Sequence, residues 1–236
     1  MDKKSLKMLN LQVLNKLLGD FGNGGRIFNS EAQFQFELAW RLNEVFDCHV
    51  VLEGLSREYK TPNKRTKKDY TDIILEKDDY RIAIELKYKT AKLDKYSLSE
   101  HGAYDLGAYD FMWDVNRLQM LTAQPKNETV KMSCNRGYAV ILTNDYHYWT
   151  EPNNKNTINR CFLIYGNTQG KGGLTKGLHQ WYNTMGQPGL SKALKNDTSR
   201  QKEITLRRDY PYQWMRYSTV PNEKNGVFQF MIVEIG

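Results

Sequence analysis

Asp72, Glu85 and Lys87 are the residues whose types and spacing best suit chemistry. They lie in the stretch D-Y-T-D-I-I-L-E-K-D-D-Y-R-I-A-I-E-L-K-Y, residues 69 to 88. Two apolar-rich runs, Tyr70 to Leu75 and Tyr80 to Tyr88, flank a charged turn at Glu76 to Asp79, which is the pattern of a β-hairpin. Side chains in a strand alternate between faces, so Ile82, Ile84 and Leu86 share one face while Ala83, Glu85 and Lys87 share the other. Strand pairing can bring Asp72, on the first arm, close to Glu85 and Lys87. Two neighbouring carboxylates repel unless a cation lies between them. Hard oxygen ligands suit Mg²⁺, which keeps waters and favours phosphate-bearing substrates. Such an ion lowers the pKa of its water and polarises a phosphoryl oxygen. Lys87 could then position the attacking water or stabilise charge on the pentavalent phosphate. The plainer reading of the same residues is a solvated strand face with an ordinary ion pair.

The phrases D-I-I-L and I-A-I-E-L-K-Y-K resemble the active-site hairpin of the PD-(D/E)XK nuclease superfamily, the fold of many restriction enzymes and Holliday-junction resolvases. The family motif maps onto Asp72, Glu85 and Lys87, with Thr71 where proline often precedes the aspartate. The resemblance implies a restriction-endonuclease-like α/β core, with a central mixed sheet flanked by helices and extra β structure in the C-terminal third. It implies hydrolysis of phosphodiester bonds, of DNA ahead of RNA, in defence or in repair. The implied cofactor is Mg²⁺, with Mn²⁺ as substitute, held by Asp72, Glu85 and the backbone carbonyl of Leu86. The phrase S-E-A-Q-F-Q, Ser30 to Gln35, resembles the helix that carries an assisting glutamate in these nucleases, which nominates Glu31. Glu31 is equally read as a favourable anion at a helix N-terminus. Two further phrases, Y-D-F-M-W-D-V-N-R-L and W-M-R-Y-S with F-Q-F-M-I-V-E, resemble a group of uncharacterised bacterial proteins with the same motif. There Asp114 and Arg117 would sit near the site in a structural role. A non-catalytic nucleic-acid- or protein-binding module on the same fold is the alternative.

These residues need elements to place them. Leu6, Leu9, Val13 and Leu17 predict an amphipathic helix over residues 3 to 18, capped by Asp2 and ended by Gly19. That helix would dock on its own domain or on a partner, leaving a homodimer or a partner protein open. Ser30 opens a second helix running to about Phe46, with Phe34, Leu38, Leu42 and Val45 inward and Glu37 on the solvated face, paired with Arg41. His49 to Glu53 read as the first core strand. The segment from 57 to 68 reads as a basic loop, with Arg57, Lys60, Lys64, Arg65, Lys67 and Lys68 as candidate phosphate contacts. A helix from about Ala108 to Thr122 and strands at Gly137 to Thr143, Cys161 to Tyr165 and Val227 to Ile235 follow. Trp181, Tyr182, Tyr210, Tyr212, Trp214 and Tyr217 read either as stacking surfaces for bases or as core.

The 236 residues are 40% hydrophobic, enough for one sizeable domain. Residues 1 to 29 are assigned to the N-terminal helix and linker. Residues 30 to 236 are the nuclease-like domain, with its core to about 150 and insertions and closing strands beyond. A net charge of +7 favours polyanions. No apolar run approaches the length of a membrane span, and the N-terminus lacks a signal-peptide pattern. Cys48, Cys134 and Cys161 are scattered and odd in number, as expected in a reducing cytoplasm without disulfides or a zinc site.

Overall fold

Alternating apolar residues build the centre of the molecule. In the computed structural model, which describes residues 3–60, 66–100, 102–123, 132–182 and 200–236, a six-stranded mixed sheet runs through the middle. Its strands are β1 (His49–Lys60), β2 (Thr66–Lys77), β3 (Tyr80–Lys89), β4 (Arg136–Thr143), β5 (Met215–Thr219) and β6 (Val227–Ile235), in the spatial order β5-β6-β4-β3-β2-β1. Neighbours are antiparallel except β3 and β4, which run parallel from Ile82↔Arg136 to Lys89↔Thr143. Parallel neighbours need a long crossover, and helix α3 (Tyr104–Thr122) supplies it.

Each sheet face has its own core. Ile73, Leu75, Ile82, Ile84, Leu86, Tyr138, Val140 and Leu142 face helices α1 (Leu11–Asn23) and α2 (Glu31–Val45). Ile74, Ala83, Ala139, Ile141, Met231 and Val233 face α3 and the C-terminal third. β4 is the apolar run buried on both faces that its sequence indicates. The two-residue turn between β2 and β3 places Asp78 at φ 54, a left-handed conformation that Asp tolerates.

The N-terminal segment differs from the single helix predicted. Lys4–Ser5 pairs in parallel with Phe46–Asp47, which holds the chain extended there. One 3₁₀ turn follows at Leu6–Met8, and α1 begins only after Asn10, whose side chain accepts from Val13 N at 3.0 Å. Gly19 lies inside the helix rather than ending it. The apolar stripe is spent within the chain: Leu6, Leu9, Leu14, Leu17 and Leu18 are buried in the α1/α2 core. Gly22 marks the closest approach, since a Cβ there would run into the Tyr217 carbonyl. Gly22→Ala is therefore expected to cost about 1–3 kcal/mol by overpacking. Gly19→Ala, where a Cβ meets nothing within 4 Å, should instead gain about 0.5–1 kcal/mol from helix propensity. Thermal melts followed by circular dichroism distinguish the two signs.

Other elements also depart from expectation. The basic segment is not a loop along its length: β1 continues to Lys60 and β2 resumes at Thr66, paired from Arg57↔Asp69 to Lys60↔Thr66. Continued main-chain pairing carries these charged residues as strand. Cys161 to Tyr165 is not a strand but includes a 3₁₀ turn, Arg160–Phe162. Side chains take its carbonyls in place of a neighbouring strand. The Cys161 carbonyl lies 2.8 Å from His179 Nδ1, Trp214 Nε1 donates to the Ile164 carbonyl at 2.7 Å, and the Tyr212 hydroxyl donates to the Tyr165 carbonyl at 2.9 Å. Glu37 binds Arg26 and Gln33, while Arg41 turns to Glu44. Trp181, Tyr210, Tyr212, Trp214 and Tyr217 are all buried, so these aromatics are core. Tyr182 carries the Arg160 guanidinium 3.5 Å above its ring.

Candidate active site

The site forms where the hairpin strands part. The β2–β3 ladder runs from Lys77↔Tyr80 to Ile73↔Ile84 and stops. Beyond it β2 stays paired with β1 while β3 stays paired with β4. Two N–H groups on the freed edge of β3 find carboxylates in place of a strand. Leu86 N donates to Asp72 Oδ2 at 2.6 Å, and Tyr88 N donates to Glu31 Oε2 at 2.7 Å. The register between β1 and β2 also skips Asp72, passing from Leu52↔Ile73 to Gly54↔Thr71. Opposite Asp72, Glu53 sits at φ 49, a strained conformation for a residue with a side chain. Gln35 closes this gap, its Nε2 donating to the Asp72 carbonyl at 2.6 Å and to Glu53 Oε1 at 3.0 Å.

The strand alternation read from sequence places Glu85 and Lys87 on the α3 side. Glu85 is 2% exposed. Its Oε1 lies 3.0 Å from Arg117 Nη2, without an aligned hydrogen bond. Lys87 Nζ pairs with Asp114 and donates to the Leu86 carbonyl at 3.1 Å. Arg117 Nη1 reaches Asp114 at 3.4 Å, and its Nη2 donates to the Tyr70 carbonyl on β2. Ser30 fixes the start of α2 by accepting from Gln33 N at 3.1 Å, which sets Glu31 at the first turn. Asp72, Glu85, Lys87, Glu31 and the Leu86 carbonyl thus lie in one region. Asp114 and Arg117 join them through ion pairs that the sequence reading had not identified. Asp110, Asp114 and Arg117 share one face of α3 at i, i+4 and i+7, and the resemblance put Asp114 and Arg117 near the site, but neither signal showed which strand residues they would pair with.

Charge is unbalanced in this region. Glu31, Asp72, Glu85 and Asp114 face Lys87 and Arg117, so with every group ionised two negative charges remain in excess. Burial, with Asp114 and Glu31 adding to it, pushes the Asp72 carboxyl up to about 6 despite Lys87 and the Leu86 N–H. Burial also pushes Glu85 well above the usual carboxylate range; Asp114 adds to this and Arg117 opposes it. For Lys87, burial works against the charge, but Asp114, Glu31 and Asp72 outweigh it and hold the amine protonated. Among the described residues, no three His, Cys, Asp or Glu side chains form a metal-holding group by themselves. An all-oxygen set of two carboxylates and one carbonyl suits an ion that retains waters, as Mg²⁺ does.

The basic candidates are only partly placed. Lys67 and Lys68 are exposed on β2, whereas Arg57 is largely buried and paired with Asp69 at 3.5 Å. Lys60 ends β1, and Lys64 and Arg65 lie outside the described residues. No described helix is long and apolar enough to cross a membrane. The comparisons with family models, curated proteins and solved structures find no match for this chain.

Proposed function

We propose that this chain is a Mg²⁺-dependent nuclease, with Mn²⁺ as substitute, built on a PD-(D/E)XK, restriction-endonuclease-like core and acting on DNA ahead of RNA. The observation that carries this reading is the parting of β2 and β3 at Asp72, beside Glu85, Lys87 and Glu31. The architecture is compatible with it: α2, β1, the β2–β3 hairpin, α3 and β4 follow one another in the order read from the residue patterns and form a mixed sheet flanked by helices. Asp72, Glu85 and the Leu86 carbonyl would hold the ion, and the excess negative charge suits a divalent cation. When bound, the ion would polarise a phosphoryl oxygen and lower the pKa of its water. Lys87 is held protonated and oriented by Asp114, so its part is electrostatic: orienting water and stabilising negative charge on phosphate. Glu31 assists by fixing the edge of β3 at Tyr88. Lys67 and Lys68 offer phosphate contacts on the adjoining strand. Cytoplasmic placement and work in defence or repair belong to the same proposal.

The rival is a binding module, whose Glu85–Arg117 and Lys87–Asp114 pairs would be structural alone. Incubating the pure protein with supercoiled plasmid, linear duplex, single-stranded DNA and RNA separates the two. The nuclease reading expects cleavage of at least one substrate with Mg²⁺ or Mn²⁺ and none with EDTA. Binding without cleavage in any metal favours the module.

A further inference from the structure

Arg117 sits where its charge and its reach have more than one use. Its guanidinium contacts three elements: Glu85 on β3, the Tyr70 carbonyl on β2, and Asp114 one turn earlier on α3. It therefore spans the opening where the two hairpin strands separate. Its contact with Glu85 is close yet misaligned: the atoms are 3.0 Å apart, but Glu85 Oε1 receives no hydrogen bond although it is fully buried. A buried carboxylate oxygen in that state is poorly satisfied and open to a better cationic partner. The Arg117 side chain keeps 16% of its surface exposed, so it has room to withdraw.

We propose that Arg117 is a stand-in cation, which neutralises Glu85 in the metal-free protein and yields that carboxylate when a divalent ion binds. The inference rests on the metal-dependent reading of the site. It makes Arg117 and Asp114 positioning residues of opposite sign. Arg117 competes with the ion for Glu85, whereas Asp114 engages Lys87 and Arg117 and so keeps those cations from opposing the ion. A merely structural role would give both residues the same sign, because losing either would loosen the site.

Calorimetric titration with Mn²⁺ alone, without nucleic acid, tests this. Arg117→Gln is expected to tighten Mn²⁺ binding by about tenfold, since a cation beside the ion is removed. Asp114→Asn is expected to weaken it by about tenfold for the opposite reason. Arg117→Lys keeps the charge and should stay near wild type. Weaker or unchanged binding in Arg117→Gln, with wild type binding normally, would overturn the stand-in role and leave the nuclease reading intact. Failure of the wild type to bind any Mn²⁺ would overturn both. Should Arg117→Gln not fold, nuclear magnetic resonance of the wild type decides. The Arg117 Nε–H signal, identified by its loss in Arg117→Lys, must shift along the same Mg²⁺ saturation curve as the site. A signal that stays fixed through saturation would overturn the proposal.

Discussion

Lys87→Met should destabilise the fold by about 3 kcal/mol, because it takes the nearer of two cations from the Asp114 carboxylate, 5% exposed, and leaves only the longer Arg117 contact at 3.4 Å. Methionine keeps the apolar stem and removes the charge, so the loss reports the ion pair rather than a cavity. The site already carries excess negative charge, and the substitution deepens it. Cleavage should fall by about 10²–10³-fold, the usual cost of removing one electrostatic stabiliser of a transition state. The double variant Lys87→Met with Asp114→Asn should recover most of the stability and none of the activity. Urea unfolding of the wild type, both single variants and the double variant gives the coupling between the two groups. A coupling near zero would show that the pair contributes no net stability.

Asp72→Asn is expected to act in opposite directions on stability and on function. The Asp72 carboxyl stands at about 6 in the fold against 3.8 in the unfolded chain. Between these values the folded protein binds more protons than the unfolded one, so stability falls as pH rises from about 4 to about 6. Above 6 the whole penalty remains, on the order of 2–3 kcal/mol for a shift of about two units. Asparagine retains a side-chain oxygen to accept the Leu86 N–H and carries no charge. In EDTA at pH 8 the variant should therefore unfold at higher urea than the wild type, and the gain should shrink as pH falls towards 4. With Mg²⁺ added, only the wild type should gain stability. A variant no more stable than wild type at pH 8 would show that Asp72 carries no burial penalty.

The hairpin was legible because β alternation is a local property: Ile82, Ile84 and Leu86 on one face and Ala83, Glu85 and Lys87 on the other need only strand geometry. The capped start of α2 was legible for the same reason, since Ser30 and Gln33 are neighbours in sequence. The parting of β2 from β3 was not legible. It depends on where the ladder stops, after Ile73↔Ile84, and the pairings that continue beyond that point, β2 with β1 and β3 with β4, are not local. Asp114 and Arg117 could be placed on one helical face but not against Glu85 and Lys87, because the rotation of α3 over the sheet is fixed by packing of Phe111, Val115 and Leu118. The run Cys161 to Tyr165 looked like a strand by its apolar residues, yet His179, Trp214 and Tyr212 from distant segments take its carbonyls. Asn10 caps α1, whose late start follows the short pairing of Lys4–Ser5 with Phe46–Asp47; Asp2, the cap expected from the sequence, lies outside the described residues.

The central claim is tested most directly by single-turnover cleavage with Mg²⁺, comparing wild type and Glu85→Gln on the substrate that the wild type cleaves. The expected result is Mg²⁺-dependent product with the wild type and a drop of at least about 10³-fold in the variant, while both bind the substrate equally in EDTA. Cleavage by Glu85→Gln at the wild-type rate would contradict the account.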